Sequence, residues 1–102
     1  MQPAIERLVQ IGPLPSSIVA TAPILQELDA LLAKAQTPIT DDEARALVRL
    51  FGPDDCFGLS WSLLHVIETS PSWPIADALR GLSGEWIDRL RERNGKAAGR
   101  PL

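Results

Sequence analysis

The side chains able to do chemistry are concentrated in one stretch, FGPDDCFGLSWSLLHVIETSPSWP, residues 51–74. It holds the only cysteine, the only histidine, two of the three tryptophans and the pair Asp54–Asp55. Three kinds of chemistry come into question: metal ligation, nucleophilic attack and acid–base work. Cys56 and His65 are nine residues apart. On one helix they would point about 180° apart and lie about 13 Å apart along the axis, too far to share a metal or form a Cys–His pair. A zinc site built on one Cys and one His would also need two carboxylates. Ser62 and His65 stand at i,i+3 and can touch, but no glycine-rich nucleophile elbow accompanies the serine. Asp54 and Asp55 open the predicted helix, where the helix dipole explains adjacent acids without catalysis. The expectation is therefore no catalytic residues, no metal, no cofactor and no enzymatic activity.

The elements that carry these residues read as helices separated by Pro and Gly. Ile5, Leu8 and Val9 place a short helix over 3–10, which IGPLPSS breaks. SSIVAT, 16–21, alone has β-branched character, and Pro13, Pro15 and Pro23 hem it in. Ile24, Leu25, Leu28, Leu31, Leu32 and Ala35 follow the helical period over 24–35. Thr40 with Glu43 is a capping box for a helix over 41–51, closed by Gly52-Pro53. The next helix spans 55–69. A two- or three-residue turn between these two makes them an antiparallel hairpin. After the connector Ser70–Pro74 come PIADALRGL and a last helix over 84–94, with Asn94-Gly95 as its stop signal. Trp61, Trp73 and Trp86 are expected to form an aromatic cluster among the last helices. The prediction is an all-α fold: a single compact bundle of four to six helices over 1–95 around the central 41–51/55–69 hairpin, with the 24–35 and 84–94 helices on either side and a flexible tail at 96–102.

Composition limits the function. Apolar residues make up 45% of the 102 residues and charged residues 23%, an ordinary globular balance with enough chain for one core. A lone cysteine fits a reducing compartment. No stretch approaches the ~18 apolar residues of a membrane span, and MQPAIERLVQ lacks the apolar run of a signal peptide. A cytoplasmic protein with no membrane partner is expected. Arginine outnumbers lysine, as in proteins of GC-rich bacteria. The net charge of −3 hides an acidic body, −6 over 1–85, and a basic end, +3 over 86–102. An acidic body repels nucleic acid, and the 55–69 helix has no Arg, Lys, Asn or Gln to read a groove.

What remains is protein binding. An antiparallel hairpin gathers Asp41, Asp42, Glu43 and Glu68 at one end and sets Asp54 and Asp55 about 16 Å away along the axis. Such an acidic end suits a basic partner. Trp73, in its Pro-bounded connector, and His65, one turn from Trp61, are the accompanying candidates for partner contact. The run LVRLFGPDDCFGLSWSLLHVIETSPSWP resembles segments of small bacterial all-helical proteins, and the resemblance covers about residues 43–74. In size and style the chain is similar to toxin-immunity proteins and to short HEAT-like helical units. The tail WIDRLRERNGK is loosely similar to the last helix of colicin-type immunity proteins. Their tyrosine pair has no counterpart, because the chain has no Tyr, so no binding residue is carried over. The resemblance implies a protein-interaction role, an immunity or inhibitor protein being the specific form. The alternatives are a scaffold or subunit-like helical domain with no ligand, and a binder of small apolar ligands near Trp61 and Trp73.

Overall fold

The structure is a computed structural model that describes residues 1–75 and 77–99, with 94–99 described by backbone alone. Among the described residues five α-helices follow one another: α1 (Pro3–Ile11), α2 (Ala22–Lys34), α3 (Asp41–Leu47), α4 (Leu59–Ile67) and α5 (Glu85–Gly99). A 3-10 turn, Val48–Leu50, extends α3. No strand occurs among the described residues, so the chain is all-α. SSIVAT is a turn, because its prolines leave it no ladder to join. The radius of gyration, 13.4 Å, is that of a compact domain of this length.

Local signals explain the helix starts. Pro3 and Pro23 occupy first-turn positions, where the missing N–H costs nothing. At α3 the capping box forms: the Glu43 N–H donates to Thr40 Oγ1 at 3.1 Å, and the Thr40 N–H donates to Glu43 Oε1 at 2.9 Å. The Gln2 N–H donates to Glu43 Oε2 at 2.9 Å, so the same carboxylate also holds the start of α1. The Gln2 side chain brackets the end of α2, donating to the Gln36 carbonyl and accepting from its N–H.

Several expectations require correction. The third helix is α-helical only to Leu47, and the fourth begins at Leu59 rather than at residue 55. The tight two- or three-residue turn is therefore replaced by a longer connector, residues 51–58. Cys56, Phe57 and Gly58 all have positive φ, 48°, 55° and 87°, which a right-handed helix does not admit. Asp54 imposes this course by accepting from the Cys56 N–H at 2.9 Å. At the other end of the chain, Asn94-Gly95 does not stop α5, whose backbone stays helical to Gly99. Residues 100–102 of the expected tail lie outside the described residues. PIADALRGL forms successive turns rather than a regular helix, with Ala76 also outside the description.

The core collects the apolar stripe of each helix. Ile5, Leu8, Leu28, Leu47, Leu63, Leu64, Ile67 and Leu90 are essentially inaccessible to solvent. Truncating any of these leucines costs about 2–5 kcal/mol. α1 and α4 each pack on both α2 and α3. α5 adds Trp86, Ile87 and Leu90 to the core and stacks Trp86 on Phe51 at 5.9 Å. The 12–17 segment lies against the 50–54 connector. The Leu14 N–H donates to the Leu50 carbonyl at 2.8 Å, and a Cβ on Gly52 would collide with the Leu14 carbonyl oxygen.

Candidate functional site

Asp41, Asp42 and Glu43 open α3, and Glu68 follows the last residue of α4. The Ile39 N–H donates to Thr69 Oγ1 at 3.1 Å, which ties the start of α3 to the end of α4. Each of the four carboxylates already has a partner within the chain. Asp41 accepts from the Ser72 N–H at 3.2 Å, and its bonding to Ser72 holds its carboxyl below the usual range. Asp42 pairs with Arg45 at 3.0 Å, and Arg45 reaches on to Asp77 at 3.3 Å. Glu68 meets Arg93 through two bonds of 2.7 Å.

Glu43 is the most enclosed of the four, only 3% exposed. Burial by itself raises its pKa. The bonds from the Thr40 and Gln2 N–H groups outweigh that effect and hold the carboxyl below its ordinary value. Its placement is that of a clip between α1 and α3, not of a surface charge.

The aromatic residues divide. Trp61 meets Trp86 edge-on at 4.9 Å, and the Arg89 guanidinium lies 5.2 Å and 5.0 Å from the two ring centres. This is a cation–π arrangement that ties α5 to α4. His65 is exposed beside Trp61 at 6.3 Å. Trp73 is half-buried against the core and makes no ring contact among the described residues. The expected cluster of three tryptophans is therefore a pair with Phe51. Cys56 is buried, and burial followed by the nearby Asp54 and Asp55 charges pushes its thiol up. It sits in the turn before α4, so tertiary placement rather than helix periodicity separates it from exposed His65. No group of three or more His, Cys, Asp or Glu among the described residues is arranged to hold a metal. No helix among them is long and apolar enough to cross a membrane.

A different surface stands out at the Asp54 connector. Phe57 is 67% exposed, Val19 68% and Ile18 93%. Asp54 joins the two loops that carry them. Its carboxylate accepts from the Ser17 N–H at 2.9 Å and from Ser17 Oγ at 3.2 Å, as well as from Cys56. These bonds, led by that from the Ser17 backbone, hold the Asp54 carboxyl below its usual range. Beside Phe57 lies an open groove of about 340 Å³, lined by Leu25, Gln26, Asp29, Phe57 and Leu59. A smaller cavity of about 100 Å³ sits at the start of α5 near Phe51 and Trp86. Trp61 and Trp73 line neither.

The expected helix over 55–69 misses this surface, because it includes Phe57 in a regular helical turn. One signal points the other way. Asp54 followed by Gly58 is the composition of a turn, and a glycine inside a helix costs about 1 kcal/mol against alanine. No family model matches the chain, and comparison with curated proteins and with solved structures returns no match.

Proposed function

We propose that the chain is a protein-interaction module and that its partner meets the surface formed by Ile18, Val19 and Phe57. The single observation that carries this reading is Phe57: a large aromatic side chain held in solvent on a left-handed backbone. Such a residue costs about 1–2 kcal/mol in backbone energy and stays 67% exposed in the free chain. Observed strain of this kind is a pointer to function. Aromatic anchors dominate binding energy when a partner desolvates them.

In this reading the bundle is a frame for the two loops. Its centre is the α3–α4 pair, supported by the packing of these helices on each other and of each on α1 or α2. A cytoplasmic bacterial setting and a non-enzymatic role, with an immunity or inhibitor protein as the specific form, belong to the same proposal. The acidic end, with Asp41, Asp42, Glu43 and Glu68 beside His65 and Trp73, is the second candidate face. What favours it is the gathering of four carboxylates, and what weakens it is that each is engaged internally.

Photo-crosslinking separates the readings. A benzophenone amino acid is placed at residue 57 or at residue 42 and irradiated in the native cells. A crosslinked protein from 57 and none from 42 is the expected result. Crosslinking from 42 alone overturns it in favour of the acidic end. No adduct from either leaves the scaffold reading.

A further inference from the structure

Asp29 and Asp55 differ from the acidic residues already described. Asp29 lines the Phe57 groove, and Asp55 lies two residues before Phe57. Both are exposed. Neither forms an ion pair or side-chain hydrogen bond among the described residues, whereas Asp41, Asp42, Glu43, Asp54, Glu68 and Asp77 all do. Arg7 of α1, the helix packed on α2, is engaged by Glu27 of α2 at 3.1 Å. The groove thus combines apolar lining, Leu25, Phe57 and Leu59, with the Asp29 carboxylate, and the connector that carries Phe57 adds a second carboxylate, Asp55, neither of them ion-paired among the described residues.

We infer that the Phe57 groove takes a basic amphipathic segment of a partner protein, seating an apolar side chain on Leu25, Phe57 and Leu59 while lysine or arginine beside it meets Asp29 and Asp55. This rests on the reading of the Phe57 surface as the interaction face. Charge complementarity selects the occupant. Opposite charge at the rim speeds encounter and rejects acidic competitors. A second copy of the chain fits poorly. A two-fold pairing through this face would bring the Asp29 and Asp55 carboxylates of both copies together. The chain's own arginines in α5 are committed, Arg89 to Glu85, Arg91 to Asp88 and Arg93 to Glu68. The groove is open rather than enclosing, which suits a side chain presented by a protein better than a free small molecule.

The test uses the full chain, labelled with ¹⁵N, and two synthetic amphipathic peptides with the same leucine face. One carries lysines on its polar face and the other glutamates. The lysine peptide is expected to shift the amides of residues 25, 29, 57 and 59 saturably. Its affinity is expected to fall by about tenfold at high salt and likewise in Asp29→Lys/Asp55→Lys. The glutamate peptide is expected to leave these amides unmoved. Equal binding of both peptides at these residues overturns the basic-partner inference and leaves the interaction face standing. Binding of neither overturns the inference, and the crosslinking at residue 57 then decides the face separately. Concentration-dependent shifts of the same amides without peptide overturn it in favour of a second copy. Both lysine substitutions fall on exposed positions, and an unchanged far-UV spectrum verifies the fold.

Discussion

At the end of the molecule that carries Asp41, Asp42, Glu43 and Glu68, charge is dense in the sequence and spent inside the chain. Backbone N–H groups, Arg45 and Arg93 answer each carboxylate. At the Phe57 end the sequence shows less charge, and what it shows is arranged differently. Asp54 is consumed, clamping two loops, while Asp29, in the groove beside exposed Phe57, and Asp55, two residues before it, have no side-chain partner among the described residues. Acidic density in a sequence therefore does not measure the charge available to a partner. What counts is which carboxylates the fold leaves without donors. The acidic end does structural work, and the Phe57 end bears an unspent surface.

The comparison breaks most visibly at the backbone contact beneath the Phe57 end. Gly52→Ala puts a methyl group into the Leu14 carbonyl and should destabilise the chain by about 3 kcal/mol in urea unfolding. A loss under about 0.5 kcal/mol would mean that the two loops are not pressed together as described. Next is the structural claim for the acidic end. Glu43→Gln removes the charge from a buried carboxylate that accepts two backbone N–H groups, and should cost about 2 kcal/mol. The same variant carries a pH signature. The Glu43 carboxyl is held below its ordinary value of 4.5 when folded, so its contribution is complete above that pH and is lost as pH falls through the folded value. Wild type should lose stability more steeply than Glu43→Gln below pH 4.5, with Asp41, Asp54 and Asp77 supplying the common remainder.

Smaller effects sharpen the contrast. Phe57→Gly releases the positive φ and should raise stability by up to about 1 kcal/mol while abolishing the partner crosslink of the neighbouring loop, read from a probe at residue 18. A stability loss comparable to a core truncation would instead make Phe57 a packing residue. Smallest is Asp42→Lys, at a side chain 90% exposed and paired only at the surface. It should leave the unfolding midpoint unchanged and peptide binding at the groove intact, which a general role for acidic charge would not allow.

Much of this fold is legible in the residues. The period of Ile24 to Ala35 gives α2, and Thr40 with Glu43 fixes the start of α3 to the residue, because capping is a local bargain between four successive positions. The burial of Leu63, Leu64 and Ile67 follows from a helix apolar on more than one side. The start of α4 was not legible from periodicity. Asp54 finds Ser17, thirty-seven positions away, and that long-range bond helps stabilise the left-handed turn over a further helical turn. Glu43 is similar. Its capping role is written locally, but its second oxygen binds Gln2 across forty-one positions, and this withdraws it from the surface.

The sequence by itself determined the helical class, the positions of the main apolar stripes and the concentration of acid at the start of α3. Those follow from periodicity and from backbone groups a few residues apart, interactions that any chain of this composition makes locally. Only the tertiary structure decided which carboxylates are neutralised and which remain open, that Cys56 is buried while His65 is exposed, and that Phe57 stands in solvent. Each of these depends on donors and walls supplied by distant segments, whose meeting is fixed by packing of the whole chain rather than by spacing along it.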